Sequence, residues 1–409
     1  MTTPVLPKMP TLDNLHDLDA RDPLRHKKAQ FVLPGGVIYL DGNSLGALPG
    51  AVPERLQRVI HQEWGDALIR SWTAHAQEGR DWMALPDRVA AKLAPLIGAD
   101  ASEIAVGDST SVNLFKALTS ALHVAAPGRR VILTDADNFP TDLYVAQGLN
   151  SLLGDRYELR RVPAADVATH LTDEVAVVML TEVDYRTGER LDMAGLTAQA
   201  CARGVLTIWD LAHSAGAFEV DLTGAGADFA VGCGYKYLNG GPGAPGYLYV
   251  ARRHLDTRVA LSGWMGHADP FEMARDYVPA RDARRFVVGT PMVLSLSALD
   301  TALDVFADVD LAELRAKSLG LTDTFMSLLS GDPDLTLVTP LDHARRGSQV
   351  SFRHPQAKEA MRRLVERGVI GDFRTPDIVR FGFTPLYVSY ADVYHAAQAV
   401  LEVAGELRA

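Results

Sequence analysis

Short, largely apolar runs alternate with longer segments of helical periodicity over the first 250 residues. The apolar runs lie at 104–106, 131–133, 175–180, 205–209, 229–231 and 246–250. A parallel strand that is buried on both faces reads as a continuous apolar run. The alternation of such runs with helical segments therefore predicts an α/β fold with a doubly wound, mostly parallel sheet.

The rest of the chain has a different pattern. The first fifty residues form a proline-punctuated arm that ends near the turn DGNSLG at 41–46. Thr290 suits the N-cap and Pro291 the first turn of a helix that follows them. Beyond it, 348–352 and 378–383 alternate as strands with helices between them, which is typical of a smaller α+β domain. The predicted division is an arm at 1–50, a large domain at 51–290 and a small C-terminal domain at 291–409.

One lysine, Lys236, follows the apolar run at 229–231 directly. Tyr235 and Tyr237 flank it, and the glycine-proline loop at 240–246 comes next. A lysine that is shielded from water has a lowered pKa and can attack an aldehyde to form a Schiff base. The same pattern also suits a strand-end lysine whose ammonium lies in solvent, so this segment alone leaves both interpretations open.

A carboxylate at the end of the preceding strand favours the first interpretation. Asp210 follows the run at 205–209, and His213 and a series of small residues come after it. Ligands of open α/β sheets bind at the carboxyl ends of the strands. A lysine that holds an aldehyde, with a carboxylate that keeps a pyridine nitrogen protonated, makes a pyridoxal phosphate (PLP) site. The sequence therefore predicts a PLP enzyme.

The turns after three other strands supply groups for the same cofactor. Thr110 and Ser111 begin a helix whose free N–H groups form an anion site, with an ordinary capping cluster as the alternative. Phe139 lies where a ring can stack on a planar cofactor, Asp142 opens the next helix, and Thr181 ends the run at 175–180.

Two further residues are candidates for the substrate. Arg380 interrupts the apolar strand DIVRFGF, where it can bind a carboxylate bidentately or lie on the surface of an edge strand. Trp64 belongs to an aromatic-rich segment that forms either a substrate wall or ordinary packing. The sequence alone does not decide between the two alternatives for Arg380 or between those for Trp64.

Composition excludes several classes of partner. The chain has 409 residues, a net charge of −11 and a hydrophobic content of 47%. An acidic chain is poorly suited to nucleic acid or an anionic membrane surface, so neither partner is expected. Cys201 and Cys233 provide no disulfide framework, and no run approaches the length of a membrane span. We therefore expect a cytoplasmic enzyme, and no metal site is predicted.

Several motifs together resemble the kynureninase family, in its bacterial type, over nearly the whole chain. The motifs are YLDGNSLG (39–46), WGDALIRSW (64–72), DSTSVNLFKAL (108–118), NFPTD (138–142), WDLAHSAGA (209–217), GCGYKYLNGGPG (232–243) and RFGFTPLY (380–387). The resemblance implies a fold-type-I PLP enzyme that hydrolyses L-kynurenine to anthranilate and L-alanine in tryptophan catabolism. It leaves 3-hydroxykynurenine open as a second substrate.

The resemblance also implies roles for individual residues. Lys236 would hold the cofactor, and Asp210 would face its pyridine nitrogen. Tyr235 is our candidate for proton transfer in the later steps of the reaction. The implied cofactor shell is Thr110, Ser111, Phe139, Asp142, Thr181, Asp210, His213, Tyr235 and Lys236. Arg380 would bind the substrate carboxylate.

Other positions imply an oligomer and a substrate preference. Trp264 and Thr290 match positions that reach the cofactor phosphate of a neighbouring subunit, which implies a homodimer with shared active sites. Trp64 stands where the animal enzymes have histidine, and Thr290 where they have asparagine. Both departures favour kynurenine over its 3-hydroxy derivative.

Three other functions are weighed against this interpretation. An aminotransferase shares the fold and the lysine. A cysteine desulfurase needs a mobile cysteine in the C-terminal half, whereas Cys201 falls in a predicted helix and Cys233 lies close to the lysine. A PLP-binding regulatory protein needs an appended effector or DNA-binding module, and the chain has no basic segment of that kind.

Overall fold

A computed structural model of the chain describes residues 9–74 and 81–408. The helices are α1 Leu12–Arg21, α2 Val52–Arg58, α3 Leu85–Leu93, α4 Thr110–Val124, α5 Pro140–Leu152, α6 Met193–Cys201, α7 Leu222–Ala225, α8 Val293–Ala302, α9 Leu311–Leu329, α10 Ala357–Glu366 and α11 Tyr390–Arg408. The strands are β1 Phe31–Val32, β2 Ile38–Tyr39, β3 Leu48–Pro49, β4 Ile104–Val106, β5 Val131–Asp135, β6 Glu158–Val162, β7 Val175–Thr181, β8 Leu206–Asp210, β9 Phe229–Cys233, β10 Gly246–Val250, β11 Thr336–Leu337, β12 Gln349–Arg353, β13 Val369–Ile370, β14 Asp372–Arg374 and β15 Ile378–Gly382.

The large sheet has the strand order β4-β10-β9-β8-β7-β5-β6. The strands from β6 to β9 in this order are parallel, whereas β10 pairs antiparallel with both β9 and β4. Thr181 lies opposite Asp210, and Asp210 opposite Val231, so the carboxyl ends of β7, β8 and β9 lie side by side. The mostly parallel sheet predicted from the sequence is confirmed.

Both faces of this sheet are buried. Along β7, Val177 and Met179 pack into one hydrophobic cluster, and Val178 and Leu180 pack into another on the opposite face. The first cluster includes apolar side chains of α4 and α5. Since each side chain of the strand meets a core, no polar alternation appears in the sequence. The doubly wound arrangement is also confirmed.

A second sheet comes from the C-terminal part of the chain. Its strand order is β11-β12-β15-β14, and all its pairs are antiparallel. From the N-terminal arm, β2 pairs with β13 and α1 packs against α11. These contacts support the predicted small domain, although the domain boundaries stay a prediction. Within the described residues, no helix has both the length and the apolar character needed to cross a membrane.

Candidate active site

A cavity of about 510 Å³ opens at the carboxyl ends of β7, β8 and β9. It brings together the whole cofactor shell implied by the sequence, which is Thr110, Ser111, Phe139, Asp142, Thr181, Asp210, His213, Tyr235 and Lys236. The topology explains this convergence, because parallel strands deliver the residues that follow them to one edge of a sheet. The cavity also has walls that the sequence did not indicate, among them Tyr185 and Met292.

Lys236 lies on a tight turn just after β9 and is half-buried. The turn is closed by hydrogen bonds from the Gly240 N–H to the Gly234 carbonyl at 2.8 Å and from the Asn239 N–H to the Lys236 carbonyl at 2.9 Å. The Lys236 Nζ is 6.0 Å from the centroid of the Phe139 ring and 5.8 Å from that of Tyr235. The amine therefore lies near two aromatic rings that line the cavity.

Two buried carboxylates face this amine. Asp210 accepts a hydrogen bond from the Ala212 N–H at 2.8 Å, whereas the buried Oδ2 of Asp142 has no hydrogen-bond partner among the described residues. Burial raises the pKa of both carboxyls, and the charge of Lys236 opposes that rise. Asp210 also raises the pKa of Asp142. These carboxyls fit a cationic ring nitrogen, because a buried carboxylate is stabilised by an opposite charge or a donor.

The N-terminus of α4 provides the anion site. Ser109 caps the helix by accepting from the Val112 N–H at 3.3 Å, and Asp108 has a positive φ of 54°. Gly246 lies against this turn, and a Cβ there would come within 3.0 Å of the Thr110 amide nitrogen. The close approach leaves Thr110 and Ser111 at the cavity, where N–H groups of a helix start bind a phosphate. The cofactor phosphate therefore fits this end of the cavity.

Arg380 is not among the residues that line the cavity. Its side chain is 1% exposed, and Nε donates to Asp372 Oδ1 at 2.7 Å while Nη2 donates to Asp372 and to Ser44. Its Nη1 donates to the carbonyl of Tyr185, which does line the cavity. The surface-arginine alternative is wrong, because β15 lies between β12 and β14 and not at the edge. Arg380 lies directly behind the wall formed by Tyr185.

Trp264, Thr290 and Trp64 also lie outside the cavity of this chain. The Trp264 ring stacks on Trp72 with 5.7 Å between centroids, and Thr290 is exposed. The expected N-cap at Thr290 is wrong, because α8 begins at Val293 with Met292 at its N-cap. Trp64 is 57% exposed and lines a groove of about 430 Å³ that includes Met292, which also lines the cavity.

Asp41 and Asp372 are two carboxyls near Arg380, and they predict that the stability of the protein depends on pH. Burial and the neighbouring Asp372 raise the pKa of Asp41 from 3.8 to about 6. Between these values the folded state binds more protons than the unfolded state, so stability falls as the pH rises. We expect Asp41→Asn to increase the free energy of unfolding by about 1–2 kcal/mol at pH 7.5, after allowance for solvent screening.

Urea unfolding at several pH values measures this effect. The increase in the free energy of unfolding that Asp41→Asn causes should disappear below about pH 3.5, where Asp41 is protonated in both the folded and the unfolded state. Asp173→Asn, at an exposed position, is the control and should change little at either pH. A stability gain that is equal at acidic and neutral pH would contradict the electrostatic explanation.

The fold and the cavity define a fold-type-I PLP-dependent enzyme. A solved cysteine desulfurase from Escherichia coli superposes with a TM-score of 0.76 at 24% identity, covering 94% of this chain and 98% of that one, which shows the shared fold. A family model described as the kynureninase C-terminal domain matches residues 314–400.

Whole-chain relatives identify the family. The chain is 68% identical over 405 residues to a kynureninase of Deinococcus radiodurans, and the match covers 98% of each. It is 51% identical over 404 residues to a kynureninase of Burkholderia mallei, covering 97% of this chain and 96% of the relative. The chain therefore belongs to the kynureninase family. The expected kynurenine hydrolysis and the PLP cofactor are confirmed.

Proposed function

We propose that Lys236, Asp210 and Tyr235 carry out the hydrolysis of L-kynurenine in this cavity. One observation supports the assignment above all: an amine and a buried carboxylate converge on a single cavity that also holds a free helix N-terminus. PLP, when bound, supplies an aldehyde for the substrate amine and a ring that accepts electrons. Water and kynurenine then give anthranilate and L-alanine by cleavage of the Cβ–Cγ bond.

Residues of the chain provide the other functions of the active site, which are cofactor binding and proton transfer. Asp210 would stabilise the positive charge at the ring nitrogen of bound PLP, and Phe139 would pack on its ring. The Nζ of Lys236 accepts the Cα proton and is the base of the early steps. Burial raises the pKa of Tyr235, so its hydroxyl stays protonated and can donate once water has added to the side-chain carbonyl and the Cβ–Cγ bond has broken.

The product distinguishes this function from the aminotransferase alternative. Purified protein with PLP and L-kynurenine should release fluorescent anthranilate and L-alanine in equal amounts. An aminotransferase would instead consume a keto acid and leave the Cβ–Cγ bond intact. Formation of a keto acid without anthranilate would overturn the proposal.

Trp64 is proposed as a wall for the aromatic ring of the substrate. The groove that it lines adjoins the cavity at Met292. We expect Trp64→His to increase the ratio of kcat/KM for 3-hydroxykynurenine to that for kynurenine by about fivefold, since one added hydrogen bond contributes about 1 kcal/mol. Trp82→His, which changes another wall of the same groove, is the control. Equal ratios of the two kcat/KM values in Trp64→His and in the unmodified protein would show that Trp64 does not contact the aromatic ring of the substrate.

We also propose a homodimer whose active sites are shared. Thr290 is exposed, and the exposed apolar side chains of Trp64 and Leu294 line the groove that adjoins the cavity at Met292. Such a patch is typical of a protein interface. The resemblance to kynureninases implies that Trp264 and Thr290 of a second copy would reach the cofactor phosphate. The free thiols of Cys201 and Cys233 suit the proposed cytoplasmic location.

Mixed dimers test the shared site. A Lys236→Ala chain and a Trp264→Ala chain should each be nearly inactive alone. After mixing and subunit exchange, one of the two sites in each hybrid dimer is intact, so we expect activity to return to about one quarter of normal for a statistical mixture. Exchange confirmed by mass spectrometry without any return of activity would contradict a shared site.

A further inference from the structure

The amide of Gln349 has only one possible orientation. Gln349 lies on β12 and is fully buried. Its Nε2 donates to the carbonyl of Asp184 at 3.2 Å and to that of Tyr185 at 3.1 Å. Because backbone carbonyls only accept hydrogen bonds, the amide nitrogen must face them. The amide oxygen therefore points the other way, toward His213.

That orientation determines where the proton of His213 lies. The Nδ1 of His213 is 2.9 Å from the Gln349 Oε1. Since Oε1 can only accept, Nδ1 must carry the hydrogen. We propose that Gln349 is a positioning residue that holds His213 as its Nδ1–H tautomer and so makes Nε2 a hydrogen-bond acceptor for the cavity. No other residue of the described chain forms a hydrogen bond with Nε2, and the ring borders the cavity.

The electrostatic surroundings keep this ring neutral. His213 is buried, and burial together with the charges of Lys236, Arg380 and Arg374 places its pKa well below the ordinary value. The hydrogen bond to Gln349 opposes this shift. A neutral ring with a fixed Nδ1–H cannot donate through Nε2. His213 is therefore suited to accept from an O–H or N–H donor of the bound cofactor or substrate.

Gln349 also connects the cavity to the second sheet. The Tyr185 carbonyl accepts from both Gln349 and Arg380, and these two residues lie on paired strands with Gln349 opposite Gly382. This inference rests on the proposed function. It assigns the proton transfers of catalysis to Lys236 and Tyr235. His213 contributes a directional hydrogen bond and no proton.

Nitrogen NMR of the protein labelled with ¹⁵N-histidine tests the tautomer directly, both without PLP and loaded with it. The chain has 12 histidines, so the His213 signals are assigned by their loss in His213→Asn. We expect a protonated Nδ1, an unprotonated Nε2 and no titration between about pH 5.5 and 8.5. A protonated Nε2, or a ring that titrates near the ordinary pKa of about 6.5, would overturn the proposal.

Two variants separate positioning from ordinary packing. Gln349→Glu places a carboxylate beside Nδ1, so the ring should now titrate inside the same pH interval, and the pH profile of kcat/KM should gain a step there. Gln349→Met keeps the volume but loses the acceptor, so both tautomers should be populated. Ser351→Ala is the matched control, because Ser351 lies on the same strand and donates to the Arg186 carbonyl, and no hydrogen bond joins it to His213 in the described structure.

The outcomes are distinct from those of the activity assay. Ser351→Ala should retain the tautomer and the pH profile of the unmodified protein. If Gln349→Glu leaves His213 neutral and the profile unchanged, Gln349 does not control the ring and the proposal is wrong. If the tautomer is as assigned but no anthranilate forms from kynurenine, the proposed function fails while the tautomer inference stands.

Discussion

Lys236→Ala is expected to lose the absorption band of covalently held PLP and to reduce anthranilate formation by at least about 10³-fold. The substitution removes both the amine that holds the cofactor and the proposed base for the Cα proton. A positioned acid or base alone contributes about 10²–10⁴-fold. Absorbance of the reconstituted protein and product fluorescence measure the two effects separately.

The control for this variant is another lysine of the chain. Lys358 lies exposed on α10, away from the cavity, so Lys358→Ala should retain both the band and the activity. The helix N-terminus and Phe139 are unchanged in Lys236→Ala, so the variant should still bind PLP without covalent attachment. A retained absorption band in Lys236→Ala would show that another amine holds the cofactor.

The main sheet and most of the cavity could be predicted from the sequence for one physical reason. Parallel strands that are buried on both faces leave continuous apolar runs, and the residues that follow them must meet at one edge of the sheet. Asp210, Thr181 and Lys236 are placed in this way. Their convergence follows from the order and direction of the strands, which the apolar runs of the sequence indicate.

The surroundings of Arg380 could not be predicted in the same way. Its partner Asp372 is eight residues away on β14, and the Ser44 hydroxyl comes from the N-terminal arm. Pairings between short antiparallel strands and a distant turn leave little periodic signal. The same holds for Gln349 and His213, which are 136 residues apart and meet only because the two sheets are packed together. The failed N-cap at Thr290 is a local error, since several residues before α8 are compatible with a helix start.

We propose that Arg380, which lies directly behind the wall formed by Tyr185, binds the carboxylate of the substrate. Arg380→Lys is then expected to raise KM for L-kynurenine by about 10- to 100-fold with a smaller change in kcat. Hydrogen bonds to charged groups contribute about 1.5–3 kcal/mol, and lysine keeps the charge but loses the bidentate geometry. Arg380→Ala is less informative, because it leaves the Asp372 carboxylate poorly compensated and would cost about 3–5 kcal/mol of stability. Steady-state kinetics, with thermal unfolding measured in parallel, gives both quantities.

Arg374→Lys is the matched control, because it separates substrate binding from loss of the ion pair. Arg374 also contacts Asp372, at 2.6 Å, but its side chain is 37% exposed, and no hydrogen bond from it to the Tyr185 carbonyl is present in the described structure. We expect Arg374→Lys to change KM less than threefold, since a partly exposed ion pair contributes little. If Arg380 binds the substrate carboxylate, the two variants will differ in KM even where their unfolding temperatures agree. Equal KM and kcat/KM values in Arg380→Lys and the unmodified protein would assign Arg380 only to the ion pair with Asp372.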